Sequence, residues 1–124
     1  MALADITLND GQSTPVAHTF TYISNVNGRT IRTDMAASAE TPLTMTHAHQ
    51  DGKRAGVVVK SHLFRIDKTL LDADGVTPHV ANVRVMCDVP VSISSDALAD
   101  DLAAFIRNWI SSTNFRAFIK GSVG

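Results

Sequence analysis

At 124 residues, with eleven basic against twelve acidic side chains and 44% hydrophobic residues, the chain has the composition of one globular domain, which excludes a disordered or collagen-like class. The formal charge of −1 excludes a basic tail that coats nucleic acid, and a lone cysteine, Cys87, excludes an intrachain disulfide framework. The N-terminus lacks the basic and apolar regions of a signal peptide, and no apolar run approaches the ~20 residues that span a bilayer, so a soluble protein made in the cytoplasm is expected.

The first three quarters of the chain reads as strands separated by turns. A short alternating run at 5–8 is closed by Asn9-Asp10-Gly11, a combination that favours positive φ and a tight reversal. A strand at 16–23, rich in Thr, Phe, Tyr and Ile, leads to Asn27-Gly28, the strongest hairpin signal in the chain. Residues 29–34 form a short polar strand, and the Ala-rich stretch 35–42 is a connection. Alternation resumes at 43–50, Asp51-Gly52 marks the next hairpin, and its partner strand is 56–66. An irregular stretch, 67–78, carries Asp72, Asp74-Gly75 and Pro78. The longest strand, 79–91, stops near Pro90. Six strands joined mostly by hairpins predict an antiparallel sheet.

The pattern then changes period. Ser94-Ser95-Asp96 reads as a helix start, and Leu98, Leu102, Phe105, Ile106, Trp109 and Ile110 make one apolar stripe at helical spacing. A second, shorter helix starts at Ser111-Ser112-Thr113, carries Phe115, Phe118 and Ile119, and ends at Gly121. The expected class is therefore α+β, one domain over 1–124 with a hairpin region (1–28), a sheet (29–91) and two C-terminal helices (94–120).

Splitting strands by parity assigns chemistry to faces. Leu43 and Met45, then Val57, Val59 and Leu63, then Val83, Val85, Cys87 and Val89 form the expected apolar set. The opposite set is Thr44, Thr46, Lys60, His62, Asn82 and Arg84. Between residues 43 and 66 there are four basic side chains against one acidic, so a neutral chain can still own a positive surface. Two readings stay open for that face: a solvated sheet surface, or a nucleic-acid platform with Lys and Arg for phosphates and Thr and Asn for bases or sugars. His47 and His49 share a strand face, but two ligands are too few for a metal centre, and they read as partly exposed edge or interface residues. Cys87 shares parity with three valines and reads as a buried structural thiol. No nucleophile elbow, phosphate loop, dinucleotide fingerprint or zinc-protease motif occurs, so no catalytic residue, metal or cofactor is expected.

The order and lengths of these elements, and in particular Asn82-Val83-Arg84-Val85-Met86-Cys87-Asp88-Val89-Pro90-Val91 running into Ser95-Asp96 and the 98–110 stripe, resemble the coat proteins of single-stranded RNA bacteriophages, the levivirus group. The resemblance spans essentially the whole chain. It implies an intertwined homodimer with one continuous sheet, in which the helices of each subunit lie over its partner. Leu98, Leu102, Phe105, Ile106, Trp109, Phe115 and Phe118 would then bury across the dimer interface. It also implies an icosahedral shell found in the virion and assembled in the bacterial cytoplasm, with no membrane partner. Viral single-stranded RNA, including a hairpin whose binding represses translation, would meet Thr44, Thr46, Lys60, His62, Asn82 and Arg84. Family members stack a base on a last-strand tyrosine, where Asn82 aligns here. The 67–78 segment would gather at capsid symmetry axes. Two other readings are a small dimeric α+β enzyme or ligand-binding domain, with a pocket between sheet and helices near His47, His49 and His62, and a host RNA-binding module that does not assemble.

Overall fold

The computed structural model describes residues 4–121 and divides into a sheet unit ending at Val89 and a helical unit beginning at Pro90. Strands β1 (Ile6–Asn9), β2 (Ala17–Val26), β3 (Arg29–Asp34), β4 (Leu43–Arg54), β5 (Val57–Leu71) and β6 (Pro78–Pro90) form one sheet in chain order. Hairpins set that order, because antiparallel neighbours need only short connections. No helix among the described residues is long and apolar enough to cross a membrane.

Turn chemistry explains where the strands reverse. Asn27 (φ 54°) and Gly28 (φ 75°) are both left-handed and join Val26 to its partner Arg29, the turn expected from Asn-Gly. A side chain at Gly28 would also meet the His49 carbonyl oxygen at 3.0 Å. The β4–β5 turn is displaced from its expected place: it falls at Ala55-Gly56, both with positive φ, and Asp51-Gly52 lies inside β4. Twelve residue pairs in unbroken register from Leu43↔Lys68 to Arg54↔Val57 outweigh the local preference of Asp-Gly for a turn. The reversal after β1 is also wider than expected. Asn9 pairs with Ala17, and the Asp10 carboxylate spans the gap by accepting the Gln12 and Val16 N–H groups. The expected irregular stretch 67–78 shrinks to a turn between Leu71 and Pro78, because β5 continues to Leu71. Asp74 organises that turn, accepting the Val76 and Thr77 N–H groups and the Thr77 hydroxyl, which holds its carboxyl down at about 2.

The helical unit opens with a 3₁₀ turn, Val91–Ile93, after the Pro90 step. Helices α1 (Asp96–Trp109) and α2 (Ser112–Ile119) follow, each started by a serine whose hydroxyl accepts an orphan N–H: Ser95 from Leu98, Ser111 from Asn114. Gly121 (φ 73°) closes α2 by donating to the Phe118 carbonyl.

Burial is sparse. Among the described residues the buried apolar side chains are Phe20, Met45 and Val59, of which Met45 is fully enclosed. None of α1's residues is buried.

Candidate nucleic-acid interface

The β4–β5 register decides which side chains share a surface, since directly opposed residues of an antiparallel pair project to the same side. Thr44 faces Asp67, Thr46 faces Arg65, Ala48 faces Leu63 and Gln50 faces Ser61. On the other surface Met45 faces Ile66, His47 faces Phe64, His49 faces His62 and Asp51 faces Lys60. The six side chains expected on one polar face are therefore split: Thr44 and Thr46 lie on one side of the sheet, Lys60 and His62 on the other. The cause is arithmetic. A two-residue turn opposes an even-numbered residue to an odd-numbered one, so the even residues of β4 and β5 occupy opposite faces. The parity of β5 is inverted relative to expectation, with Val57, Val59 and Leu63 on the threonine side.

Strand β3 adds Arg29, Ile31 and Thr33 to the threonine face, opposite Ala48, Thr46 and Thr44. Asp88 of β6 belongs there too: it accepts from Arg54 Nη2 at 2.8 Å, and hydrogen bonds from Ser61 first and Arg54 second hold its carboxyl below the usual carboxylate range. Alternation from Asp88 brings Arg84 and Asn82 to the same side, both exposed. Four arginines thus share this face. Arg54 is paired with Asp88, and Arg65 with Asp67 at 2.9 Å. Arg29 and Arg84 are exposed and have no ion-pair partner among the described residues. Thr44 is half-buried, whereas Thr46 is 3% exposed and packs within the face. Free cations beside hydroxyl and amide groups suit a phosphate backbone with unpaired bases. Arg29, Ser61 and Arg65 were missed by strand-by-strand parity; the odd–even rule of the hairpin was the signal that finds them.

The opposite face carries Phe20, Met45, Phe64 and Ile66 together with a set of histidines. His49 and His62 meet Nδ1 to Nδ1 at 2.7 Å, with ring planes at 70°. His47 accepts from Arg32 Nη1 at 3.3 Å, and desolvation, then Arg32 and His49, push its pKa down. Arg32 is itself buried and donates Nε–H to the Ala4 carbonyl. His18 joins two carboxylates, with Nδ1 2.8 Å from Asp34 and Nε2 3.0 Å from Asp10. Those bonds, that of Asp34 the larger, raise the His18 pKa. Asp10 is held down at about 2, chiefly by the Val16 N–H and then by His18. This cluster ties the end of β1 to β2 and β3, and among the described residues no nucleophile is hydrogen-bonded to His18, whose nitrogens meet Asp34 and Asp10. Cys87 is half-buried and free, more open than the buried thiol expected.

A cavity of about 560 Å³ is lined by His18, Asp34, Met35, Leu43, Lys68 and neighbouring residues, all from the sheet unit. His47, His49 and His62 line none of it, so the pocket that a ligand-binding reading expects around them is not at this cavity.

The helical unit presents the expected apolar stripe. Phe105 is 69% exposed and Trp109 44%; Leu102, Ile106 and Phe118 are also exposed, while Leu98 and Phe115 are half-buried. Trp109 packs edge-on against Phe118 at 5.9 Å between centroids, and Phe115 stacks on Phe118 at 6.2 Å. The Asn114 amide donates to the Trp109 carbonyl at 2.6 Å and fixes the α1–α2 corner.

No protein-family model and no curated protein sequence matches the chain. Solved structures match along its length. A chain of the virus-like particle of bacteriophage ESE058 is 18% identical, with a TM-score of 0.75 over 97% of this chain and 96% of its own. One from the virus-like particle of Beihai levi-like virus 21 is 11% identical, with a TM-score of 0.76 over 98% and 96%. One from the virus-like particle of bacteriophage NT-214 is 22% identical, with a TM-score of 0.64 over 95% of each chain. The chain has the fold of levi-like bacteriophage coat proteins.

Proposed function

We propose that this chain, which shares its fold over full length with particle-forming coat proteins, is the coat subunit of a single-stranded RNA bacteriophage, dimerising and assembling into an icosahedral shell around the genome. The observation that carries the reading is the mismatch between apolar surface and core. Among the described residues the buried apolar side chains are Phe20, Met45 and Val59, while Phe105, Ile106, Trp109, Ile110 and Phe118 stand exposed on one amphipathic unit. A monomer with such a patch would aggregate. A second copy resolves the mismatch: Leu98, Leu102, Phe105, Ile106, Trp109, Phe115 and Phe118 of each subunit bury against its partner. Edge strand β6, thirteen residues long, supplies open backbone groups through which the two sheets become continuous.

RNA is assigned to the threonine face: Thr44, Asn82 and Arg84 from the expected set, joined by Arg29, Ser61 and Arg65. Thr46 supports this face from within it. Lys60 and His62 belong to the other surface and make no RNA contact in this reading. Many copies multiply a modest positive patch, so the subunit needs no basic tail to hold a polyanion. Translational repression through a hairpin would use the same face, with Asn82 as a hydrogen-bonding rather than a stacking contact.

Expression of the untagged chain in bacteria, followed by sedimentation, electron microscopy and nucleic-acid extraction, tests the proposal. Regular shells containing RNA are expected, resolving into stable dimers on mild disruption. Small soluble species that stay monomeric with RNA present refute it. A dimer that binds hairpins in a salt-dependent way but never forms shells would instead support the host RNA-binding module.

A further inference from the structure

The geometry points to a transition-metal site formed by His49 and His62, on the face of the sheet opposite the threonines and independent of the RNA assignment. The two residues are directly opposed on β4 and β5, and their Nδ1 atoms meet at 2.7 Å. At that separation the rings share one proton, one nitrogen donating and the other accepting; two protonated rings would set N–H against N–H. A metal ion can take the place of that proton, which leaves Nδ1 and is carried by Nε2 of the same ring in the other neutral tautomer. Bonds of about 2.0–2.1 Å from each nitrogen need the pair to open to only about 3 Å, a small ring rotation for side chains on a partly exposed surface. Among the described residues no group of three or more ligating side chains is assembled, so the pair is a two-nitrogen chelate for an exchangeable ion, with water completing the sphere, and not a resident metal centre. Asp51 follows His49 on the same face and is opposed by Lys60, and the Asp88 carboxylate interacts electrostatically with His62.

The other histidines are excluded by their own partners. His18 has both nitrogens committed to Asp34 and Asp10, and His79 is bound to Asp72. His47 receives a guanidinium N–H on its Nδ1 and lies beside a fixed positive charge. The unencumbered pair is therefore His49 and His62. Imidazole ligation with open water positions suits Cu²⁺, Ni²⁺ and Zn²⁺, with Cu²⁺ bound most tightly.

The test titrates copper(II) chloride and zinc chloride into untagged, assembled protein at about pH 7.5, followed by calorimetry and, for copper, electron paramagnetic resonance. About one ion per chain is expected, with two imidazole nitrogens in the copper hyperfine pattern. His49→Ala and His62→Ala should each weaken binding about tenfold or more, while His47→Ala and His79→Ala leave it unchanged. Equal affinity in native protein and His49→Ala overturns the site. So does a copper spectrum of the native protein with fewer than two imidazole nitrogens, a result that requires no variant to fold.

Discussion

Arg84→Ala is the sharpest test of the face assignment, with Lys60→Ala as its counterpart on the other side of the sheet. Arg84 is exposed and unpaired among the described residues, so its removal liberates no acid and distorts no ion pair. If each copy neutralises one phosphate, its loss lowers the slope of log affinity against log salt by ~0.7 for single-stranded RNA and ~0.9 for a duplex stem. The proposed dimer presents two copies, so the change reaches about 1.4 for single-stranded RNA and about 1.8 for a duplex stem when both touch the same RNA. An exposed charge contact is worth roughly 0.2–1 kcal/mol, which over two copies weakens binding about two- to thirtyfold at fixed salt. Fluorescence anisotropy of a labelled RNA hairpin, measured on dimers over a series of salt concentrations, reads both quantities. Circular dichroism and sedimentation confirm that the dimer persists. Lys60→Ala should leave slope and affinity unchanged, because Lys60 opposes Asp51 on the face of Met45. If Lys60→Ala flattens the salt dependence and Arg84→Ala does not, the register-based assignment is wrong.

The remaining expectations concern stability and assembly. Trp109→Ala removes an exposed anchor that packs on Phe118 and should cost the dimer about 2 kcal/mol or more, seen as a shift to monomer in sedimentation, whereas Arg107→Ala on the polar side leaves it intact. Ala55 is held at φ 50°, so Ala55→Gly relieves left-handed strain and should raise the urea midpoint, by up to about 1 kcal/mol of stability, while Gly56→Ala lowers it. The His18 cluster gives a pH dependence of defined sign. The raised His18 pKa contributes stability fully present below the ordinary histidine value of 6.5 and lost as pH rises through the raised one. The lowered Asp10 contributes above its ordinary 3.8 and is lost as pH falls through about 2. Protection of the β1 amides relative to their intrinsic exchange rates should therefore be greatest between these limits, and His18→Ala should abolish the alkaline limb.

How far the fold was legible depended on whether a signal was local. Asn27-Gly28 demands two left-handed residues and finds them, and Ser95 and Ser111 cap the helices because a hydroxyl beside an orphan N–H needs nothing distant. Asp51-Gly52 has equally good turn chemistry and is overruled, since shifting the turn would forfeit the long β4–β5 ladder that ends at the strained Ala55. Parity along single strands separated Leu43 and Met45 from Thr44 and Thr46. It could not join strands, because β5 alternates ambiguously: Val57, Val59 and Leu63 on one side compete with Val58, Phe64 and Ile66 on the other. Only the register, a relation between strands, breaks that tie. The missed arginines, Arg29 and Arg65, follow from the same cause.

The corrected faces also change what the near-neutral composition means. A net charge of −1 per chain lets many copies pack side by side without accumulating the self-repulsion that a strongly basic subunit would bring. Affinity for a polyanion must then come from where cations sit rather than how many there are. In the proposed reading the threonine face offers cations of two kinds: Arg29 and Arg84 have no ion-pair partner among the described residues, while Arg54 and Arg65 are held by Asp88 and Asp67. If RNA meets this face, a phosphate approaching either paired arginine competes with the carboxylate for it. Neutralising the competitor by Asp88→Asn should release Arg54 and steepen the salt dependence of RNA binding, the opposite of Arg84→Ala. Asp88 lies near the β5–β6 side of the sheet, so an equal effect on dimer stability and RNA affinity would mean that the pair serves the interface. A change confined to RNA would mean that the positive surface is throttled by its own acids.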